Sequence, residues 1–204
     1  CTTALFDSSG NYIWGDSLNS GRTGIDVEVD NVGNVYVANM DYGAGNDIKV
    51  TKYDVTGTVL FNYFYDNNGH DESPSRINLQ SDGNLIISGV STTPSTGIET
   101  FKLSLSGSFI WEVFYSTPFP DIPTLNFMAT NMSTNEFFLT GTSSISGNPA
   151  QIFTIKYDSL GNQLWAALYD STATRGMGLA IASDGSVYVV GLNLVSKLRL
   201  PFPI

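Results

Sequence analysis

A hairpin signature that returns four times, at close to fifty residues, constrains this chain more than any other feature. It reads Phe6-Asp7-Ser8-Ser9-Gly10 with Trp14, then Tyr53-Asp54-Val55-Thr56-Gly57 with Phe61. It returns as Leu103-Ser104-Leu105-Ser106-Gly107 with Trp111, and as Tyr157-Asp158-Ser159-Leu160-Gly161 with Trp165. Successive turn glycines lie 47, 50 and 54 residues apart. One short unit cannot bury its own apolar face, so units repeated at this period must stack on their neighbours. The repeat runs through all 204 residues, and the chain therefore reads as a single domain, 1–204.

Inside each unit the apolar residues alternate, the period of a half-buried strand. Ile25, Val27 and Val29 alternate with Asp26 and Glu28. Asp30 to Asn34 is a turn, because Asp and Asn tolerate left-handed backbone and Gly33 supplies positive φ. Val35 to Asn39 gives a second strand, Ile48 to Tyr53 a third and Val59 to Tyr65 a fourth. Second strands recur from Leu85, Phe137 and Val187, at steps of 50, 52 and 50 residues. Four antiparallel strands per unit, arranged around an axis, describe an all-β propeller of four repeats. Three are complete (25–66, 77–116 and 125–169), and the fourth combines 1–24 with 177–200. The ring is then closed by the chain termini, completed by a second chain, or part of a larger propeller. Trp14, Phe61, Trp111 and Trp165 share one register on the fourth strands, which suits packing between neighbouring sheets.

These motifs carry a resemblance. Tyr157 to Trp165, Asp184 to Gly191, Lys52-Tyr53-Asp54 and Gly33 to Ala38 resemble the bacterial seven-bladed propeller repeat along essentially the whole chain. The resemblance implies a secreted or surface-associated bacterial protein, often a repeat region of an adhesin-like chain. It assigns no chemistry, since its motif residues belong to turns and core. The third copy departs from the pattern, with Leu103-Ser104 for Tyr-Asp and Asn135-Glu136 for Gly-Asn. The sialidase-type Asp box is a rival, but its glycine-to-tryptophan step is three residues and here the step is four.

Composition narrows the function classes. Only 14% of residues are charged and the net charge is −10. Such a surface repels phosphate backbones, which argues against nucleic acid. No apolar run is long enough for a membrane-spanning helix. Cys1 is the only cysteine, so an internal disulfide or a thiolate metal cluster is excluded. A first-position cysteine suits a lipidated N-terminus, although Cys1 to Asp7 also align with Ile152 to Asp158 inside a repeat.

The loops leading into first strands and those between second and third strands share one face, where propellers bind ligands. On that face, 66–76 holds His70, the only histidine, with Asp71, Glu72 and Arg76. His70 suits acid–base work near neutrality, yet no motif places a nucleophile beside it. Arg22 and Arg175 occupy loops equivalent to that of Arg76. The three either converge on an anionic ligand or pair with Asp16, Asp71 and Asp170. Asp41, Asn46 and Asp47 are oxygen donors of the kind calcium takes, without an EF-hand pattern. No other cofactor is expected.

The leading expectation is a non-catalytic extracellular or cell-surface binding module. Arg22, Tyr42, His70, Asp71, Arg76 and Arg175 would be its ligand-binding residues, and the ligand a protein or a glycan. The alternatives are a carbohydrate-active hydrolase or lyase drawing on Asp41, Asp71, Glu72, Asp121 or Asp170, and a structural spacer in a larger surface protein. Self-association to complete the ring is a further expectation.

Overall fold

The computed structural model describes residues 2–17, 22–42, 45–67, 69–92, 95–116, 122–143, 150–169, 175–191 and 194–198. Cys1, Asp121, Asp170 and the 201–204 tail lie outside the described residues.

All described regular structure is β. A first hairpin joins β1 (Thr2–Phe6) to β2 (Tyr12–Ser17). Blade 1 follows, with β3 (Arg22–Val29), β4 (Val35–Tyr42), β5 (Asn46–Tyr53) and β6 (Val59–Tyr65). Blade 2 holds β7 (Glu72–Leu79), β8 (Asn84–Ser91), β9 (Gly97–Ser104) and β10 (Phe109–Ser116). Blade 3 holds β11 (Thr124–Thr130), β12 (Phe137–Ser143), β13 (Gln151–Tyr157) and β14 (Gln163–Tyr169). The last sheet has β15 (Gly176–Ile181), β16 (Val187–Gly191) and β17 (Leu194–Leu198). Each sheet is an antiparallel meander of consecutive strands.

The turn chemistry explains the period. The Asp54 carboxylate accepts the backbone N–H groups of Thr56 (2.8 Å) and Thr58 (3.0 Å), while Gly57 stands at φ +84°. Asp7 and Asp158 repeat this arrangement. In the departing third copy, Ser104 Oγ still accepts the Ser108 N–H at 3.0 Å, so a hydroxyl replaces the carboxylate. Asn135 replaces glycine at φ 56°, the one positive φ outside glycine among the described residues. Asparagine tolerates that region.

First strands of successive sheets contact one another, as strands lining an axis must. Each carries a bulge, between Gly24/Asp26, Pro74/Arg76, Leu125/Phe127 and Gly176/Gly178, which bends it. Polar groups tie them laterally. Asp26 accepts the Ile77 N–H at 3.1 Å, Asn78 donates to Glu28 at 3.0 Å, and Asn126 donates to the Gly176 carbonyl at 2.6 Å.

The core lies in the seams between sheets. Tyr36, Ile48, Tyr65, Leu85 and Phe101 fill the seam of blades 1 and 2. Ile86, Ile98, Phe137, Phe153 and Tyr157 fill the next. Each seam is closed by the recurrent aromatic. Trp14 lies over Gly57, Phe61 over Gly107 and Trp111 over Gly161, so that an added Cβ would come within 2.7, 3.1 and 3.1 Å of the ring. A second contact also reaches the second residue of the turn. Trp14 Nε1 donates to the Val55 carbonyl (3.0 Å), Lys52 Nζ to that of Leu105 (2.9 Å), and Lys102 Nζ to that of Ser159 (3.4 Å). The shared register of these aromatics thus reflects packing between sheets.

The chain ends differ from the middle. The hairpin β1–β2 packs on blade 1, and β15–β17 on blade 3 through Leu179, Val187 and Val189. The two form separate sheets, and β17 fills the third-strand place beside β16.

Candidate functional site: an acidic rim between two blades

The chain leaves β6 at Tyr65 and enters β7 at Glu72, and His70 and Asp71 just before it lie beside Gly45 and Asn46. The Asn46 N–H donates to Asp71 Oδ1 at 2.9 Å. A Cβ built on Gly45 would lie 3.5 Å from both Asp71 Oδ1 and the His70 carbonyl. Local bonds shape the crossing. The Gly69 N–H donates to Asp66 Oδ1 (2.5 Å), that of His70 to the Asn67 carbonyl (3.3 Å), and that of Thr92 to the Asp71 carbonyl (3.1 Å). Asp41, Asp47, Asp66 and Asp71 consequently share one rim. Burial, and then the charges of Asp66, Asp41 and Asp71, push the Asp47 carboxyl above its usual range.

Beneath the rim, in the seam, lie Glu72 and Glu99, 0% and 1% exposed. Neither Glu72 carboxylate oxygen accepts a hydrogen bond of good geometry. Burial, with Glu99, Asp47 and Asp66 nearby, pushes Glu72 up to about 7, against a partial offset from the Asn67 backbone N–H. Glu99 is pushed up to about 7 as well, chiefly by burial, with Glu112 adding to the rise while the Tyr65 hydroxyl and Asn67 oppose it. The Asn67 side chain reaches Glu99 at 3.4 Å and the Tyr65 hydroxyl donates to Glu112 at 2.9 Å. Tyr65 itself stacks on Phe101 at 4.3 Å.

Of the residues singled out by sequence, the structure brings Tyr42, His70 and Asp71 to this rim, together with Asp41, Asn46 and Asp47. Tyr42 is exposed at the end of β4, and His70 and Asp71 are half-buried. Arg22 pairs by backbone with Asp41, and its side chain lies outside the described residues. Arg76 turns away from the rim, donating to the Ser75 carbonyl at 2.6 Å and to the Asn126 carbonyl of blade 3. Arg175 is exposed ahead of β15, on the last sheet. Arg76 and Arg175 therefore do not join Tyr42 and Asp71 in one cluster. Among the described residues no three His, Cys, Asp or Glu side chains converge to hold a metal ion.

Glu99 and Tyr65 escaped the reading of the sequence. One signal was present: in register, Glu99 corresponds to Lys49 and Phe153, and a carboxylate at the place of a core phenylalanine is anomalous.

No family model matches this chain, and no curated protein matches it. Solved structures do. A protein of unknown function from Bacteroides caccae superposes with a TM-score of 0.58 at 13% identity, covering 91% of this chain and 62% of its own. A subtype N11 neuraminidase-like protein from a flat-faced bat source in Peru gives 0.55 at 13% identity, covering 92% and 62%. A gluconolactonase from Xanthomonas campestris gives 0.50 at 14%, covering 97% and 65%. These likenesses establish the propeller fold, and this chain spans somewhat under two thirds of the length of each.

Proposed function

We propose that the chain is a non-catalytic binding module of a secreted or surface-exposed bacterial protein, built on repeats of the seven-bladed type. Its ligand meets the acidic rim between blades 1 and 2. One observation carries this reading: the Asn46–Asp71 contact gathers four carboxylates at the end of β4, which also carries the exposed Tyr42. Carboxylates and an aromatic face both attract a cation, so a lysine- or arginine-bearing protein segment is the ligand class that fits. Burial of the two groups titrating near neutrality, Glu72 and Glu99, supports a role other than catalysis, because a general acid must reach its substrate.

Titration calorimetry with a Lys/Arg-rich peptide tests the reading. The double variant Y42A/D47N should weaken binding about tenfold or more, equivalent to about 1.4 kcal/mol, without lowering the melting temperature. Binding that is absent in the wild type, or unchanged in the variant, would overturn it. A hydrolase is the second reading, favoured by the near-neutral Glu72 and Glu99. Polysaccharide turnover abolished by E72Q would establish that one instead.

A further inference from the structure

The seam between blades 1 and 2 is apolar along most of its length and then changes character. Leu103, Phe101 and Glu99 are alternate residues of β9, so they share one face of the sheet. That face is turned to blade 1. Phe101 stacks on Tyr65, and a Cβ on Gly89, the direct partner of Glu99, would lie 3.0 Å from Ile48 Cδ1. Glu72 pairs with Ser91, two residues beyond Gly89 on β8, and so stands on the same face. Leu103 and Phe101 belong to the apolar core of the seam. Two buried carboxylates thus stand where that row of core residues ends.

One residue reaches both glutamates. The Asn67 side chain touches Glu99 at 3.4 Å, and its backbone N–H approaches Glu72 without the geometry of a hydrogen bond. The charges of Glu99, Asp47 and Asp66 all bear on Glu72, yet no protein donor satisfies either of its oxygens. Glu72 and Glu99 are therefore neighbours that do not hydrogen-bond to each other. A shared proton would hold two such oxygens about 2.5–2.7 Å apart. A cation holds them farther apart: oxygens on opposite sides of a calcium ion are separated by about 5 Å. A buried carboxylate is strongly destabilising unless paired, and two of them with one divalent cation form a neutral unit. Magnesium keeps several waters, which a site this buried does not admit, whereas calcium accepts protein oxygens in flexible geometry.

We propose that this seam binds one calcium ion between the carboxylates of Glu72 and Glu99, with the Asn67 amide as a neutral oxygen donor. An amide side chain carries an oxygen as well as a nitrogen, so Asn67 can serve the ion as it serves Glu99. Two carboxylates suffice where amide, carbonyl and water oxygens complete the shell. The site therefore needs no third acidic side chain to converge, and none does among the described residues. Its donors differ from Asp41, Asn46 and Asp47, the set that the sequence offers for calcium. The ion ties the segment leaving β6 to β7 and β9 of blade 2, against the mutual repulsion of Glu72, Glu99 and Asp66. It lies below the rim and is independent of any ligand held there.

Titration calorimetry and thermal unfolding of the EDTA-treated protein, above neutral pH and with calcium chloride as the probe, test it. Wild type should take up one calcium per chain with a Kd of about 10⁻⁴ M or tighter. Its melting temperature should rise by about 5 °C or more at about 100 times that concentration. Magnesium should bind about tenfold more weakly or less. E72Q and E99Q should each weaken calcium binding about tenfold or more, since each removes a ligand charge. In EDTA neither variant should melt below wild type, because each relieves repulsion between two buried carboxylates. A calcium response lost from a chain that is stable without calcium reports the ion and not the fold. If E72Q melts low in EDTA, E99Q alone decides. A wild type that calcium neither binds nor stabilises, equal responses to calcium and magnesium, or E99Q binding calcium as wild type does would each overturn the proposal.

Discussion

At the residue scale, one position explains why the period is so regular. Gly161 serves two demands, a left-handed backbone at φ +87° and space for the Trp111 ring, which an added Cβ would approach to 3.1 Å. Gly185 has φ +79° and open space around it. Left-handed backbone costs a non-glycine residue about 1–2 kcal/mol. G185A should therefore lose only that amount, and G161A should lose it together with the cost of displacing the indole. In a chain of this size each kcal/mol lowers the melting temperature by about 2–4 °C. Thermal unfolding of the two variants side by side checks this, and equal losses would mean that the ring–glycine contact contributes nothing. The glycine and the aromatic were both plain in the sequence. Their contact was not, since it joins residues of different blades about fifty positions apart.

At the element scale, strands and hairpins followed directly from alternation and from Asp-x-x-Gly turns, while side-chain direction did not. By sequence Arg76 lies just ahead of a first strand, like Arg22 and Arg175, whereas it stands inside β7 at the place Asp26 takes in β3. The bulge between Pro74 and Arg76 helps re-aim the guanidinium toward blade 3. Glu99 was hidden for a related reason: β9 is buried on both faces, so alternation carried no warning. Its burial has a measurable consequence. The ordinary glutamate value is about 4.3, and in the fold Glu99 and Glu72 stand at about 7. Between those values the native state holds more protons than the unfolded chain, so stability falls as pH rises from about 4 to about 7. E99Q should raise the melting temperature at pH 8 and leave it nearly unchanged at pH 4. Equal effects at both pH values would place Glu99 in solvent. The turn carboxylates act in the opposite sense. Hydrogen bonds lower Asp54 and Asp158, and that contribution is lost only as pH falls through the acid range.

At the scale of the whole molecule, the described residues form a series of sheets in which the seam between blades 1 and 2 is repeated between blades 2 and 3. Repetition made the all-β architecture of four-stranded antiparallel units legible from sequence alone. The curvature of the array was not legible, because it accumulates over many small packing choices and leaves no local motif. The central claim is that the described sheets are successive blades whose core lies in the seams between them. Amide hydrogen exchange tests it most directly. β8 and β9, buried on both faces, should be the slowest to exchange, and β1, β3 and β16, with exposed apolar side chains, among the fastest. Uniform protection across all five strands would contradict the account, because burial would then not follow the seams.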